Sequence, residues 1–489
     1  MRILKHVLMA TFPLLACLAP PACPQTPASP EPLSCTAERT KAACLLAAAG
    51  PAQAAQAATH DVGASVGRLQ PAPAETAQPA SGAAAPLLRD GQLTLLFRNF
   101  LGTEWIQDTL DRRAWVQTLQ ANYVSGYTAG PLGLGFSVSP FVALPLDQRG
   151  DAGNFVYGHR LGGDGPTVFL GAYTLNARVG KAVFRYGLQR LSNPLLVSRD
   201  ILSLPPTFQG LTAALPLSDR LMLAAGRLSA VKARGHTSLQ ALSSGYGGTG
   251  IGHVDFAGAD WAWSGDGKAS VYLDRASDVW RQLYLALTRG AGDHKVLRVT
   301  GKADLYATRN DGSSRQGDIG NQAYSLAVTA ERGPHAVTAG YQRIMGDQFF
   351  DYLGETWGDA LLNAMDVDYN APHEKSAQLR YAFDGASAGL PGFSMMLWRV
   401  QGWGADARAG AAAQASPASP LYALYWKNGE PVHGSHGEYG IYPSYVVQSG
   451  RWKHAKVTLL AVLHHSGSHY ADSSNREFKL RVEFPVKVF

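Results

Sequence analysis

The sequence predicts an all-β fold, a transmembrane antiparallel β-barrel of about eighteen strands. Three observations predict it: the composition, a two-residue alternation of apolar and polar side chains, and an asymmetry in the lengths of the connections. The chain has 489 residues, 46% hydrophobic and 16% charged. Globular proteins carry about 25% charged residues, so part of this surface is expected not to face water. Aromatics reach 10% and glycine numbers 53, a mixture that favours short strands and tight turns over long helices. No stretch approaches the roughly 18 consecutive apolar residues of a spanning helix, so a membrane location has to be achieved by strands.

In chain order, Arg2 and Lys5 precede an apolar segment from Val7 to Leu18 that is too short to span, the pattern of an export signal. A second such pattern follows, with Arg39 and Lys41 before the apolar run 42–50 and small residues at Ala52, Ala54, Ala55 and Ala57. Two signals in series are redundant, so the true start is expected downstream of Met1. Residues 1–58 are read as a targeting region and 59–89, dominated by Ala and Pro, as a linker that cannot bury enough surface to order itself. Residues 90–489 are the barrel. All four cysteines lie in the first 44 residues, which excludes a disulfide scaffold, a zinc ribbon or a cysteine nucleophile from the body.

Strands are expected at 92–100, 114–124, 131–142, 167–179, 181–190, 207–215, 220–228, 251–259 and 268–275. The second half adds 281–289, 295–307, 322–331, 335–344, 376–384, 393–402, 439–449, 452–465 and 475–488. The last is the clearest, with Phe478, Leu480, Val482, Phe484 and Val486 on one parity and Lys479, Arg481, Glu483 and Lys487 on the other. Alternate side chains of a strand point to opposite faces, so one face is apolar and the other polar. A soluble sandwich alternates too, but here Arg and Lys recur in mid-strand and helical periodicity is almost absent. Short links such as Gly180-Lys181 and Gly333-Pro334 alternate with long ones at 143–166, 229–250, 345–375 and 403–438. That asymmetry matches tight periplasmic turns and extended outside loops. The terminal Phe489 is an aromatic of the kind outer-membrane barrels present, although it shares the parity of Lys487.

Particular motifs resemble the OprD-type outer-membrane carboxylate channels over roughly residues 90–489. They are Leu-Phe-Arg-Asn-Phe at 96–100, Ser125-Gly126-Tyr127-Thr128, and Leu202-Ser203-Leu204-Pro205-Pro206-Thr207-Phe208-Gln209-Gly210. Gly340-Tyr341-Gln342-Arg343, Asn370-Ala371-Pro372-His373-Glu374-Lys375 and Tyr445-Val446-Val447-Gln448 follow in order. The resemblance implies eighteen strands, a monomer, loops folded partly into the lumen, and a basic ladder that selects carboxylates.

By parity, Arg98, Arg178, Arg185, Arg298, Lys302, Arg380 and Arg399 are the expected rungs, since guanidinium groups offer several fixed donors and stay charged. The resemblance places the constriction at Pro205 and Pro206 and in the segment 347–374, including Asp347, Tyr352, Asp366 and Asp368. The acidic, aromatic run there, with Phe349, Phe350, Asp351, Glu355, Trp357 and Asp359, is expected to bring a counter-charge near the eyelet and so favour zwitterions.

The histidines 433, 436, 464, 465 and 469 lack the carboxylate or thiolate spacing of a metal site, and no catalytic motif or phosphate loop is present. The expected function is passive diffusion of small carboxylate-bearing solutes, amino acids and organic acids, without cofactor or metal. The expected partners are those solutes, outer-membrane lipid and lipopolysaccharide, and the barrel-assembly machinery, with no nucleic acid. The alternatives are a barrel peptidase or lipase and a transporter of long-chain hydrophobic solutes.

Overall fold

Alternation becomes geometry in the computed structural model, which describes residues 86–150, 166–357 and 361–489. The targeting region and most of the linker fall outside these residues, as does Asp359. One antiparallel sheet of eighteen strands dominates. Its first half is β1 Gln92–Ile106, β2 Arg112–Val124, β3 Leu132–Gly150, β4 Thr167–Val179, β5 Ala182–Gln189, β6 Thr207–Ser218, β7 Leu221–Lys232, β8 Val254–Ser264 and β9 Gly267–Ala276. The second half is β10 Trp280–Asp293, β11 Leu297–Asn310, β12 Gly320–Arg332, β13 His335–Met345, β14 Lys375–Asp384, β15 Phe393–Asp406, β16 His433–Val446, β17 Lys456–Ser466 and β18 Asn475–Lys487. Each strand pairs with its sequence neighbour, and β1 pairs with β18 in the register Phe97↔Phe484, so the sheet closes and leaves no open edge.

The two rims differ as the sequence predicts. One carries the turns 180–181, 219–220, 265–266 and 333–334; the other carries the loops 190–206, 233–253, 346–374 and 407–432. Gly180 and Gly333 open two of those turns with φ of 57° and 56°, a left-handed backbone that a twisted two-residue hairpin requires and a Cβ would strain.

The faces differ as well. Leu175, Leu273 and Leu379 are 68%, 58% and 59% exposed, while Asn176, Asp274 and Gln378 on the alternate parity are buried. In water each such leucine would forgo about 1.5–3 kcal/mol of burial; against lipid tails the same face is the stable one. The polar wall is therefore the inner one.

One ladder assignment is overturned. Arg399 shares the outward parity of β15 with the exposed Leu397, lies opposite Leu379 and Tyr439, and stacks 4.0 Å from the Tyr439 ring centroid. The inward parity of β15 is the apolar one, Met396, Trp398 and Val400, because the loop 346–374 packs on it through Met365, Val367 and Tyr369. Where a loop fills the bore, an apolar inner face is stable and parity alone misassigns the side. The strand expected at 439–449 runs instead from His433 to Val446, since its Gly- and His-rich start pairs with β15 and β17.

Candidate functional site

The bore is narrowed by three loops that pair with one another through their backbones. Trp357 N–H donates to Val197 O at 2.8 Å and Arg199 N–H to Glu355 O at 3.1 Å, joining 190–206 to 346–374. On the other side of the same segment, Gly245 N–H donates to Tyr352 O at 2.8 Å and Gly354 N–H to Ser243 O at 2.9 Å. Segment 352–357 is thus held between the other two loops, and the Arg234–Glu355 ion pair, 2.7 Å, ties it further. Burial alone would raise the Glu355 carboxyl; the Arg234 guanidinium outweighs it and holds the group below its ordinary range.

The polar inner wall grips the rest of 346–374. Gln342 donates to Tyr369 O and accepts from Asn363 N–H, Gln378 donates to Leu362 O, and Glu438 accepts from the amides of Asp366 and Val367 and from the Trp398 indole. Gly340 leaves room for this seat, since a Cβ there would overlap the Leu362 side chain.

Loop 190–206 is anchored by Arg98. Its guanidinium, 2% exposed, makes a bidentate pair with Asp200 at 2.6 and 3.0 Å. It also donates to Glu483 at 2.9 Å and to Leu202 O at 2.8 Å. Burial opposes ionisation of Asp200, but Arg98 dominates and holds that carboxyl well below the usual range.

Between these loops and the wall lies a cavity of about 250 Å³. Its charged lining is Arg98, Lys479 and Arg481 on one side of the balance and Asp200 and Glu483 on the other; Phe100, Ile201, Trp357, Tyr442 and Leu460 supply apolar surface. It is a constriction with both signs of charge and an aromatic edge.

The other six sequence-predicted rungs lie along the inner wall. Arg98 lies in the eyelet but serves the loop. Arg185 shares the inner face with Asn176 and Thr212, and Arg380 with Thr338, which its guanidinium reaches at 3.4 Å. Neither has a carboxylate partner among the described residues. Arg178 stacks on Tyr127 at 4.7 Å near the short-turn rim. Arg298, at the same rim, is bound by Asp266 and Glu331, and Lys302 by Asp304.

Of the predicted constriction residues, Pro205 and Pro206 are buried at the foot of 190–206, and the Tyr352 hydroxyl donates to Asp368 at 2.6 Å. Asp366 and Asp368 are buried within their loop, where burial pushes both carboxyls up. Asp347 stands half-exposed, bonded to His373. The counter-charge expected from Asp351, Glu355, Asp366 and Asp368 is accordingly not offered to the cavity. Asp351 accepts the amides of Tyr246 and Gly247, and the eyelet carboxylates are Asp200 and Glu483. Among the residues that sequence reasoning did not assign to the eyelet, Arg481 and Lys479 were visible as the polar parity of the last strand, and Asp200 carried no signal of its own.

A buried cluster fixes the end of 346–374. Glu374 bonds His436 at 3.0 Å, Tyr470 at 2.8 Å and the Ala371 amide at 3.0 Å, and His436 bonds His464 at 2.9 Å. Tyr369 and Tyr470 stack on the His436 ring. Burial pushes the Glu374 carboxyl up to about 8, against the pull of its hydrogen bonds. Because the folded state holds this proton more tightly than the unfolded chain, the seat of the loop is expected to weaken as pH rises from about 4.5 to about 8. Loop protection measured by hydrogen exchange at pH 5 and 8.5 checks this, and Glu374→Gln is expected to flatten the dependence.

An outward apolar face, a polar bore and loops folded into that bore define an outer-membrane porin. A model of the family described as outer membrane porin, OprD family, matches residues 86–488. The chain belongs to that OprD family. Porin D of Pseudomonas aeruginosa is 28% identical over 422 residues, covering 82% of this chain and 92% of that protein. The porin-like protein GalP of Pseudomonas putida is 24% identical over 66% of this chain and 81% of its own. The crystal structure of Pseudomonas aeruginosa OccD3 (OpdP), 29% identical, matches with a TM-score of 0.74 over 84% of this chain and 96% of that one. These relatives are porins and not enzymes, and the peptidase or lipase reading has no support.

Proposed function

We propose that this outer-membrane porin passes small carboxylate-bearing solutes, amino acids and organic acids, by passive diffusion through a monomeric pore. The observation that carries the reading is the presence of mid-strand guanidinium groups on the inner wall, Arg185 and Arg380, without a carboxylate partner among the described residues. Such a group keeps paired donors open to a passing carboxylate. Several weak sites in series allow entry without trapping, as permeation demands. At the eyelet, Arg481 and Lys479 stand beside Asp200 and Glu483, an arrangement suited to a zwitterion whose two ends are read together. Export by the segment 1–58 and insertion by the barrel-assembly machinery belong to the same reading.

The test is liposome swelling and reversal potential with the Arg185→Ala/Arg380→Ala pair. Uptake of organic acids and the preference for anions are expected to fall several-fold, while uptake of an uncharged sugar stays constant. Equal loss for acid and sugar, or no loss for either, would overturn the reading.

A further inference from the structure

We infer that the outward face of the long-loop rim, across β9 to β14, is a docking surface for the phosphate groups of the outer-leaflet glycolipid. Arg275, Arg281 and Arg309 lie directly opposite one another on three successive strands, and Arg343 lies directly opposite Lys375 two strands on. All five have the outward parity. Like charges set opposite each other in a sheet destabilise it unless an anion intervenes. Asp311 binds two of them, Arg275 at 2.9 Å and Arg281 at 2.5 Å. Arg309, Arg343 and Lys375 have no carboxylate partner among the described residues, and the Nε of Arg343 makes no hydrogen bond. The other nearby acids, Asp278, Asp318 and Asp347, belong to the turns 277–279, 311–319 and 346–374 above the rim, where Asp278 accepts the Ser313 amide and Asp347 holds His373.

Height identifies the occupant. Two residues inward along each strand, or four, the same face carries exposed Leu273, Leu305 and Leu379, so the cations sit at the boundary where tails give way to headgroups. The connection 277–279 is short, which keeps this part of the rim low enough to meet the membrane surface. A cleft of about 290 Å³, lined by Arg309, Gln322, Met345 and Gly346, opens beside Arg309, and Met345 stands two residues from Arg343 on the same strand and the same parity. It offers a seat between the two cationic groups for a phosphorylated sugar, and guanidinium forks match phosphate oxygens in pairs.

The experiment measures retention of bisphosphorylated lipid A by the purified full-length porin in detergent, using native mass spectrometry. The Arg309→Gln/Arg343→Gln/Lys375→Gln variant is expected to bind about tenfold or more weakly, with unchanged single-channel conductance as proof of folding, because none of the three lines the bore. The unaltered porin is expected to bind lipid A stripped of both phosphates, and phosphatidylglycerol, far less well. Millimolar inorganic phosphate is expected not to displace lipid A. Equal retention of lipid A by the variant, equal retention of the stripped lipid or of phosphatidylglycerol, or displacement by free phosphate would each overturn the inference; the stripped-lipid comparison decides it even where the variant does not fold.

Discussion

Arg98→Ala is expected to release loop 190–206 from the wall while leaving the barrel closed. The guanidinium contacts Asp200, Glu483 and two backbone carbonyls from a site that is 2% exposed. Removing it takes from Asp200 and Glu483 their shared cation and leaves only Arg190 at 3.8 Å and Arg481 at 3.4 Å, so the loss is at most that of a fully buried pair, about 3–5 kcal/mol. The closing register of β1 and β18 spans thirteen residues of each strand from Thr94↔Lys487 to Ile106↔Asn475, so the sheet survives a defect at one position. Single-channel conductance is expected to rise, and limited proteolysis to cut within 190–206. Conductance and cleavage equal to those of the unaltered protein would show that the loop is held by its other contacts. Asp200→Asn is expected to reproduce the effect in part, since Glu483 then remains as the partner of Arg98.

Glu438→Ala is expected to unseat the other constricting loop. The side chain is fully buried and accepts from two backbone amides of 346–374 and from the Trp398 indole. Each buried donor left without a partner costs about 1–3 kcal/mol, and the three, two from the loop and one from β15, meet at one point between loop and wall. The Met365, Val367 and Tyr369 contacts with Met396, Trp398 and Val400 then lose the hydrogen bonds that set their register. Discrimination between small and larger uncharged sugars in liposome swelling is expected to fall, with a noisier open state in planar bilayers. Glu438→Gln keeps an acceptor for the amides and is expected to fall between the two.

The strands were legible because lipid outside and water inside impose a two-residue rhythm on residues such as Leu283, Leu285 and Leu287. The segment 167–179 is strand over its whole expected length. The same rule misassigned Arg399, because the inner face of β15 is covered by protein rather than water, and no local pattern records what a distant loop will cover. The loops carried their information in composition, yet which acid would face the cavity was not readable. Asp351 accepts the amides of Tyr246 and Gly247, Glu355 holds Arg234, Asp368 accepts from two tyrosine hydroxyls and Asp366 is buried in its loop, whereas Asp200, one acid in a largely apolar run, meets Arg98 from 102 residues away. The cluster of Glu374, His436 and His464 was invisible for the same reason: its members come from three segments and each alone reads as an ordinary strand-end residue.

Arg98 belongs to the first strand and Glu483 to the last, so their ion pair cannot exist until the cylinder has been zipped shut. The filter is therefore completed by the final step of biogenesis and not before it. A nascent chain stalled with its ends apart would hold an unfinished hole whose loop is tied, of the two closing strands, to the first alone. Circular permutation that moved the chain ends to another hairpin would make this contact early, and so would separate the acquisition of selectivity from the act of closure.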